Sequence, residues 1–419
     1  MLKFQSFLVE SKEGKNVHLE HIEDIVFNEG VYGTRKAINF LIDLRDMLAG
    51  HSRKSIALTT KWDGAPAIFA GIDPADDKFF VAKKGLFNVD PQMFKSVAEI
   101  QNSNMSPALK SKFIISYEEF SKLGIKKGVY QGDLMFTQED LKVENIDEKS
   151  YITFQPNTII YAVPVESNLA KKIRKAKIGI VWHTTYTGSS IQDMQASFGK
   201  SIVDKMKSIS SVWMDDATYK DVSGTATFTK QETQIFDSYL SLIGKTFRQV
   251  SAVALNYFSK NEEFLIRLKA FNNSKVREGK NITTVNARNH VDEFISYLNH
   301  YYTKDAEKKK STSGKQSSYA KILPILDYMV MHKNDLIKIM EIVILITRAK
   351  TMIVNKLNSV NSLNTFLRTR TGFRVTEQEG YVAIDHIGSA VKLVDRLEFS
   401  MANFSSDIIK GFDLPSRSK

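Results

Sequence analysis

From position 22 onward apolar residues return every three or four places: Ile22, Ile25 and Val26, then Ala37, Ile38, Leu41, Leu44 and Leu48. That spacing predicts helices with one buried stripe, punctuated by Gly30 and Gly33 and stopped at Gly50. The period changes after Ser55. Short β-type runs follow at Ile56–Thr60, Ala67–Ala70 and Lys78–Ala82. The last two flank Asp73-Pro74-Ala75-Asp76-Asp77, a turn that predicts an antiparallel hairpin. A helix is predicted over Pro107–Leu123, then strands at Gly128–Met135, Thr158–Val163 and Ile178–Thr184. From about Gln231 to Ser362 the pattern is helical, with long amphipathic segments at Ile235–Phe258, Val291–Tyr302 and Ile322–Leu357. Within it the polar stretch Lys304–Lys315 reads as a solvated loop. Its Ser-Gly-Lys-Gln lacks the upstream Gly and following Ser or Thr of a phosphate-binding P-loop. β-character returns at Gly380–Ile384 and Ser389–Val394. The fold class is α+β. The expected division is an N-terminal helical segment (1–54), the first part of a sheet core (55–190), a mainly helical insertion (191–371), and the last core strands with a tail (372–419).

Composition narrows the chemistry. The 419 residues carry 58 Lys and Arg against 47 Asp and Glu, a net charge of +11 that favours polyanionic partners. With no cysteine, disulfides, thiolate zinc sites, iron–sulfur clusters and cysteine nucleophiles are excluded. No apolar run approaches the ~18 to 20 residues of a bilayer span. Glu10, Lys12, Glu13 and Lys15 come before any secretory apolar stretch could form. A cytoplasmic protein without a membrane partner is expected.

Candidate chemistry starts at Thr60-Lys61-Trp62-Asp63-Gly64, which has the form K-x-D-G between two β-runs. A lysine amine is a nucleophile only when unprotonated, so burial or neighbouring positive charge must lower its pKa. Other chemistry-bearing residues follow in order: Lys83-Lys84 at the end of the hairpin, Asp133 within Gln131-Gly132-Asp133-Leu134, Glu379-Gly380 and Lys392. Taken together, this ordered set resembles motifs I, Ia, III, IV and V of the covalent nucleotidyltransferases, the polynucleotide ligases and mRNA capping enzymes. Trp182 stands where that superfamily places an aromatic. The likeness covers about 55–190 and 375–396. The N-terminal fifty residues also resemble an uncharacterised family encoded by large tailed phages, so the cytoplasm in question would be the host's.

The resemblance implies an antiparallel ligase-adenylation core interrupted by the helical insertion. It implies Lys61 as the nucleophile that takes AMP from ATP, with Asp63 and Gly64 bordering the nucleotide. Lys83, Lys84 and Lys392 would face phosphate, Asp133 the ribose, and Trp182 the purine; Glu379 would hold Mg²⁺ or Mn²⁺. The partner would be a nucleic acid with 5′-phosphate and 3′-hydroxyl ends. RNA is favoured for two reasons: Pro66 stands where DNA ligases carry an Arg, and only Leu393–Lys419 follow motif V, too few for an OB-fold. Motif III usually has Glu rather than Asp133, and Arg396 is the substitute for a missing second lysine of motif V. Alternatives are a non-catalytic nucleotide- or RNA-binding protein on the same fold, and a DNA ligase or capping-type enzyme. His18, His21, Glu23 and Asp24 lack the spacing of a zinc motif and read as helix polar groups. His183 and Tyr186 adjoin the Trp182 strand, and Lys308–Lys310 reads as a solvated run.

Overall fold

A computed structural model describes residues 19–50, 56–198, 202–217, 226–359, 364–370, 372–387 and 389–397, with 402, 405 and 407–411 beyond them. Two helices, α1 (Ile25–Asn28) and α2 (Gly30–Leu48), precede β1 (Ala57–Lys61). Next come β2 (Ala67–Ile72), β3 (Phe79–Ala82), β4 (Met93–Phe94), α3 (Val97–Asn102) and α4 (Pro107–Phe120). The chain continues with β5 (Val129–Thr137), β6 (Lys142–Ile146), β7 (Lys149–Phe154), β8 (Ile159–Pro164) and α5 (Asn168–Lys175). β9 (Ile178–Thr187), β10 (Gln195–Phe198) and β11 (Val212–Asp216) follow. The helical region is α6 (Lys230–Phe247), α7 (Ala252–Lys260), α8 (Glu262–Arg277), α9 (Ala287–Glu307), α10 (Thr312–Met331) and α11 (Lys333–Asn358). The last strands are β12 (Asn364–Thr369), β13 (Gly372–Val375), β14 (Gly380–Ile384) and β15 (Ala390–Leu393).

The strands form three sheets. β10-β9-β5-β2-β3-β4 make the largest, with β11 added to β9; β13-β12-β8-β7-β6 make the second, and β1-β14-β15 the third. All pairings but β11 with β9 are antiparallel. The predicted β2–β3 hairpin forms, pairing Phe69 with Ala82. The third sheet alternates cleanly. Leu58, Tyr381, Ala383, Val391 and Leu393 face the helical layer, leaving Thr59, Lys61, Val382 and Lys392 on the other side.

Helix starts follow their caps. The Ser106 hydroxyl accepts from Leu109 N–H ahead of Pro107, and Thr229 with Glu232 makes a reciprocal capping box on α6. Among the described residues no helix is long and apolar enough to cross a membrane.

Several expectations need correction. Lys304–Lys315 is mostly helix: Tyr302 and Ala306 bury one face of α9, and the Ser311 hydroxyl accepts from Gly314 N–H to open α10. Ile235–Phe258 splits where Ser251 caps a new helix, and Ile322–Leu357 splits at His332. The helices occupy 230–358, while β10, β11 and β12 join the flanking sheets. α2 shares one apolar core with α6, α7 and α11, so the N-terminal helices belong to the helical layer.

Candidate functional site

The third sheet brings the two ends of the chain together. Lys61 on β1 pairs with Gly380 on β14, and Val382 on β14 pairs with Lys392 on β15. Gly380 sits at φ +141°, and a Cβ there would meet the Leu393 carbonyl oxygen at 2.4 Å, so only glycine fits. The carboxylate of Glu379, one residue earlier, makes an ion pair with the Lys61 ammonium. Ahead of α1 the chain adds to the free edge of β15: Lys392 N–H donates to Glu20 O at 2.8 Å, and Ile22 N–H to Lys392 O at 3.2 Å. His21 is thereby placed beside Lys392.

Facing this sheet is the largest one. Gln131 and Asp133 on β5, two residues apart, share a face with Val181 on β9. Between Gln131 and Gly132 the register slips, leaving His183 as an extra residue in β9. Such a bulge reverses the alternation, so beyond it Thr184 and Tyr186 join Val181 on the same wall. The two sheets enclose a cavity of about 400 Å³, also lined by Lys61, Lys84, Phe198 and Lys392. That volume suits a nucleotide-sized ligand.

Electrostatics concentrate at the base. Burial pushes the Glu379 carboxyl from its ordinary 4.5 up to about 7; Lys61 pulls it down, while Asp63 and Asp133 push it further up. Burial, then the charge of Lys61, lowers Lys392. Burial holds His21 well below its ordinary value, helped by Arg396, Lys350, Lys392 and Lys61. His183 Nε2 lies 3.8 Å from Asp133 Oδ1. Three lysines and two carboxylates are thus gathered around one cavity, with a carboxylate in contact with one amine.

A family model described as a family of unknown function, DUF6267, matches residues 16–408. The chain belongs to that family. No curated protein and no solved structure matches it. In this DUF6267 member the matched span takes in the three sheets and the helical layer.

Of the sequence-derived candidates, Lys61, Lys84, Asp133 and Lys392 line the cavity, and Glu379 touches Lys61 from beneath. The others lie elsewhere. Trp182 is fully buried on the opposite face, over Gly132, packed against Phe120 and Tyr130; it cannot stack on a purine in the cavity. The Asp63 carboxylate is turned away and fully engaged, accepting from Thr158 N–H at 2.7 Å, Ile159 N–H at 2.8 Å and Asn157 Nδ2 at 2.7 Å. It anchors the lysine loop to β8 and is not a nucleotide ligand. Gly64 lets that loop pack on β5, because a Cβ there would come within 2.5 Å of the Asp133 Cβ. Lys83 is not among the residues lining the cavity, which Lys84 reaches. Arg396 pairs with Glu23 and Asp24 in a buried cluster with Lys350 and is not among the residues lining the cavity. His18 lies outside the described residues. Gln131, Phe198 and Leu19 were missed. Gln131 was recoverable from its two-residue spacing to Asp133, whereas only pairing with β9 and β15 brings in the other two.

Proposed function

We propose that the protein is an ATP-dependent nucleotidyltransferase of the polynucleotide-ligase type, with RNA as the favoured substrate and Lys61 as the carrier of AMP. One observation carries the reading: Lys61 and Glu379, far apart in sequence, meet at the base of a cavity whose walls hold Lys84, Lys392 and Asp133. In the first step the Lys61 ammonium gives a proton to Glu379, whose carboxyl is poised near neutrality. The freed amine bonds to the α-phosphorus of ATP as the bond to pyrophosphate breaks, and pyrophosphate leaves with the electron pair. Lys84 and Lys392 balance the charge that builds on the phosphate oxygens. A terminal 5′-phosphate oxygen then attacks the phosphoramidate, returning the amine and leaving an adenylylated end. A 3′-hydroxyl finally displaces AMP and seals the strand.

Oxygen donors fit a hard cation, and with Glu379 taking the Lys61 proton it is Asp133 that would hold Mg²⁺ or Mn²⁺, whose chemistry here is to neutralise triphosphate charge. Among the described residues no three acidic or histidine side chains form a ready-made metal site, so phosphate oxygens would complete the shell. With Trp182 in the core, base stacking passes to Phe198 and Tyr186, which line the cavity together with Trp62. A non-catalytic nucleotide-binding role has one observation in its favour, the ion pair that engages Lys61 with Glu379.

Incubation of the full chain with α-labelled ATP and Mg²⁺, followed by denaturation, separates the two. The expected result is a label that survives denaturation, is absent in Lys61→Ala, and is discharged by 5′-phosphorylated RNA. Labelling by GTP instead indicates the capping-type alternative. No label with any nucleoside triphosphate overturns the catalytic reading.

A further inference from the structure

α5 presents an unusual face. Its apolar residues Ala170 and Ile173, with Ala176 just after it, are buried in the same cluster as Trp62, the neighbour of Lys61. Apart from Asn168 at its start, the exposed residues are cationic: Lys171, Lys172, Arg174 and Lys175 face outward, and no carboxylate among the described residues lies within ion-pair distance of them. Like charges three and four residues apart on a helix repel, costing about 0.2–0.5 kcal/mol per pair. The helix dipole favours cations in the last turn but does not require four of them. The basic surface continues past the helix. Lys177 and Lys122, at 60% and 52% exposure, share one buried acid, Glu119, at 3.2 and 2.9 Å. The exposed Glu166 precedes the helix.

We infer that this face of α5 is the docking surface for the sugar-phosphate backbone of a nucleic-acid strand. From Lys171 to Lys175 the rise is about 6 Å at 1.5 Å per residue, so the four cations are spaced on average about 2 Å apart along the axis. A duplex carries one negative charge per ~1.7 Å of axis. A lipid surface is disfavoured, because the apolar side of α5 is spent on the core and nothing remains to insert. Choosing a nucleic acid over an acidic protein rests on the nucleotidyltransferase reading. The buried side of α5 belongs to the same apolar cluster as Trp62, so one packed core joins the helix to the Lys61 loop.

The test uses the full chain with Lys171, Lys172, Arg174 and Lys175 all changed to Glu, which keeps good helix formers on an exposed face. A control carries the same charge change at Lys304, Lys308, Lys309 and Lys310, exposed on the helical layer. Binding of a short fluorescein-labelled RNA, single-stranded or duplex, is followed by anisotropy between ~50 and ~200 mM salt. The α5 variant should lose at least tenfold in affinity, and the slope of log affinity against log salt should fall by about 3. The control should lose far less, and labelling of Lys61 by ATP should persist in the α5 variant. An unchanged slope, or an equal loss in the control, overturns the proposal. So does tighter α5-dependent binding to polyglutamate or phosphatidylserine vesicles than to RNA. If the wild type takes no label yet binds RNA through α5, the docking surface stands and the ligase reading falls.

Discussion

Glu379→Gln separates a functional carboxylate from a structural one. Glu379 is 8% exposed, and burial raises its carboxyl from 4.5 to about 7 despite the adjacent Lys61. The fold therefore binds this proton more tightly than the unfolded chain does. Stability from this group is full below pH 4.5, falls as pH rises through the interval to about 7, and is flat above it. At roughly 1.4 kcal/mol per pH unit, ionising Glu379 costs the folded state about 3 kcal/mol. Glutamine has the same shape and behaves as the protonated acid at every pH. The variant should thus match wild type near pH 4.5 and be about 3 kcal/mol more stable at pH 8, while losing at least about 100-fold in Lys61 adenylylation. Urea midpoints of the two proteins across this range measure the difference, in which groups remote from Glu379 cancel. Lys61→Met should shift the loss to higher pH, because Lys61 holds Glu379 down. A variant destabilised equally at every pH would refute the reasoning and make the Lys61–Glu379 contact an ordinary structural ion pair.

Two further substitutions probe the corrected roles. Asp63→Ala strands the N–H groups of Thr158 and Ile159 and should cost about 3 kcal/mol or more in thermal unfolding; unchanged stability would return Asp63 to the cavity. Trp182→Phe should leave ATP affinity unaltered while Phe198→Ala weakens it by about tenfold. A tenfold loss in Trp182→Phe, read by calorimetric titration of ATP, would restore the base-stacking role to Trp182.

The hairpin turn at 73–77, the strand runs and the glycine before Tyr381 were legible because they depend on neighbours along the chain. The β6–β7 hairpin was not: its turn puts Asp147 and Glu148 at positive φ without a glycine or asparagine to mark it. Trp182 was given the purine from its likeness to the superfamily's aromatic position, whereas Ile178, Ile180 and Trp182 alternate onto one buried face of β9 and the aromatic that reaches the wall, Tyr186, lies beyond the bulge. Alternation predicts a face only while the register runs unbroken, and the bulge at His183 is set by how β9 pairs with β5.

Residue chemistry and order along the chain were thus settled locally: an amine beside an Asp-Gly turn, a carboxylate before a glycine, lysines at two strand ends. Tertiary structure decided which of them meet. The β1–β14–β15 pairing set Glu379 against Lys61 and Lys392 on the same face, and the Asp63 carboxylate went to the backbone of β8. The physical reason is that side-chain identity and turn preference are short-range properties. Strand pairing, burial and the resulting pKa of Glu379 depend on groups hundreds of residues away, whose positions no local pattern records.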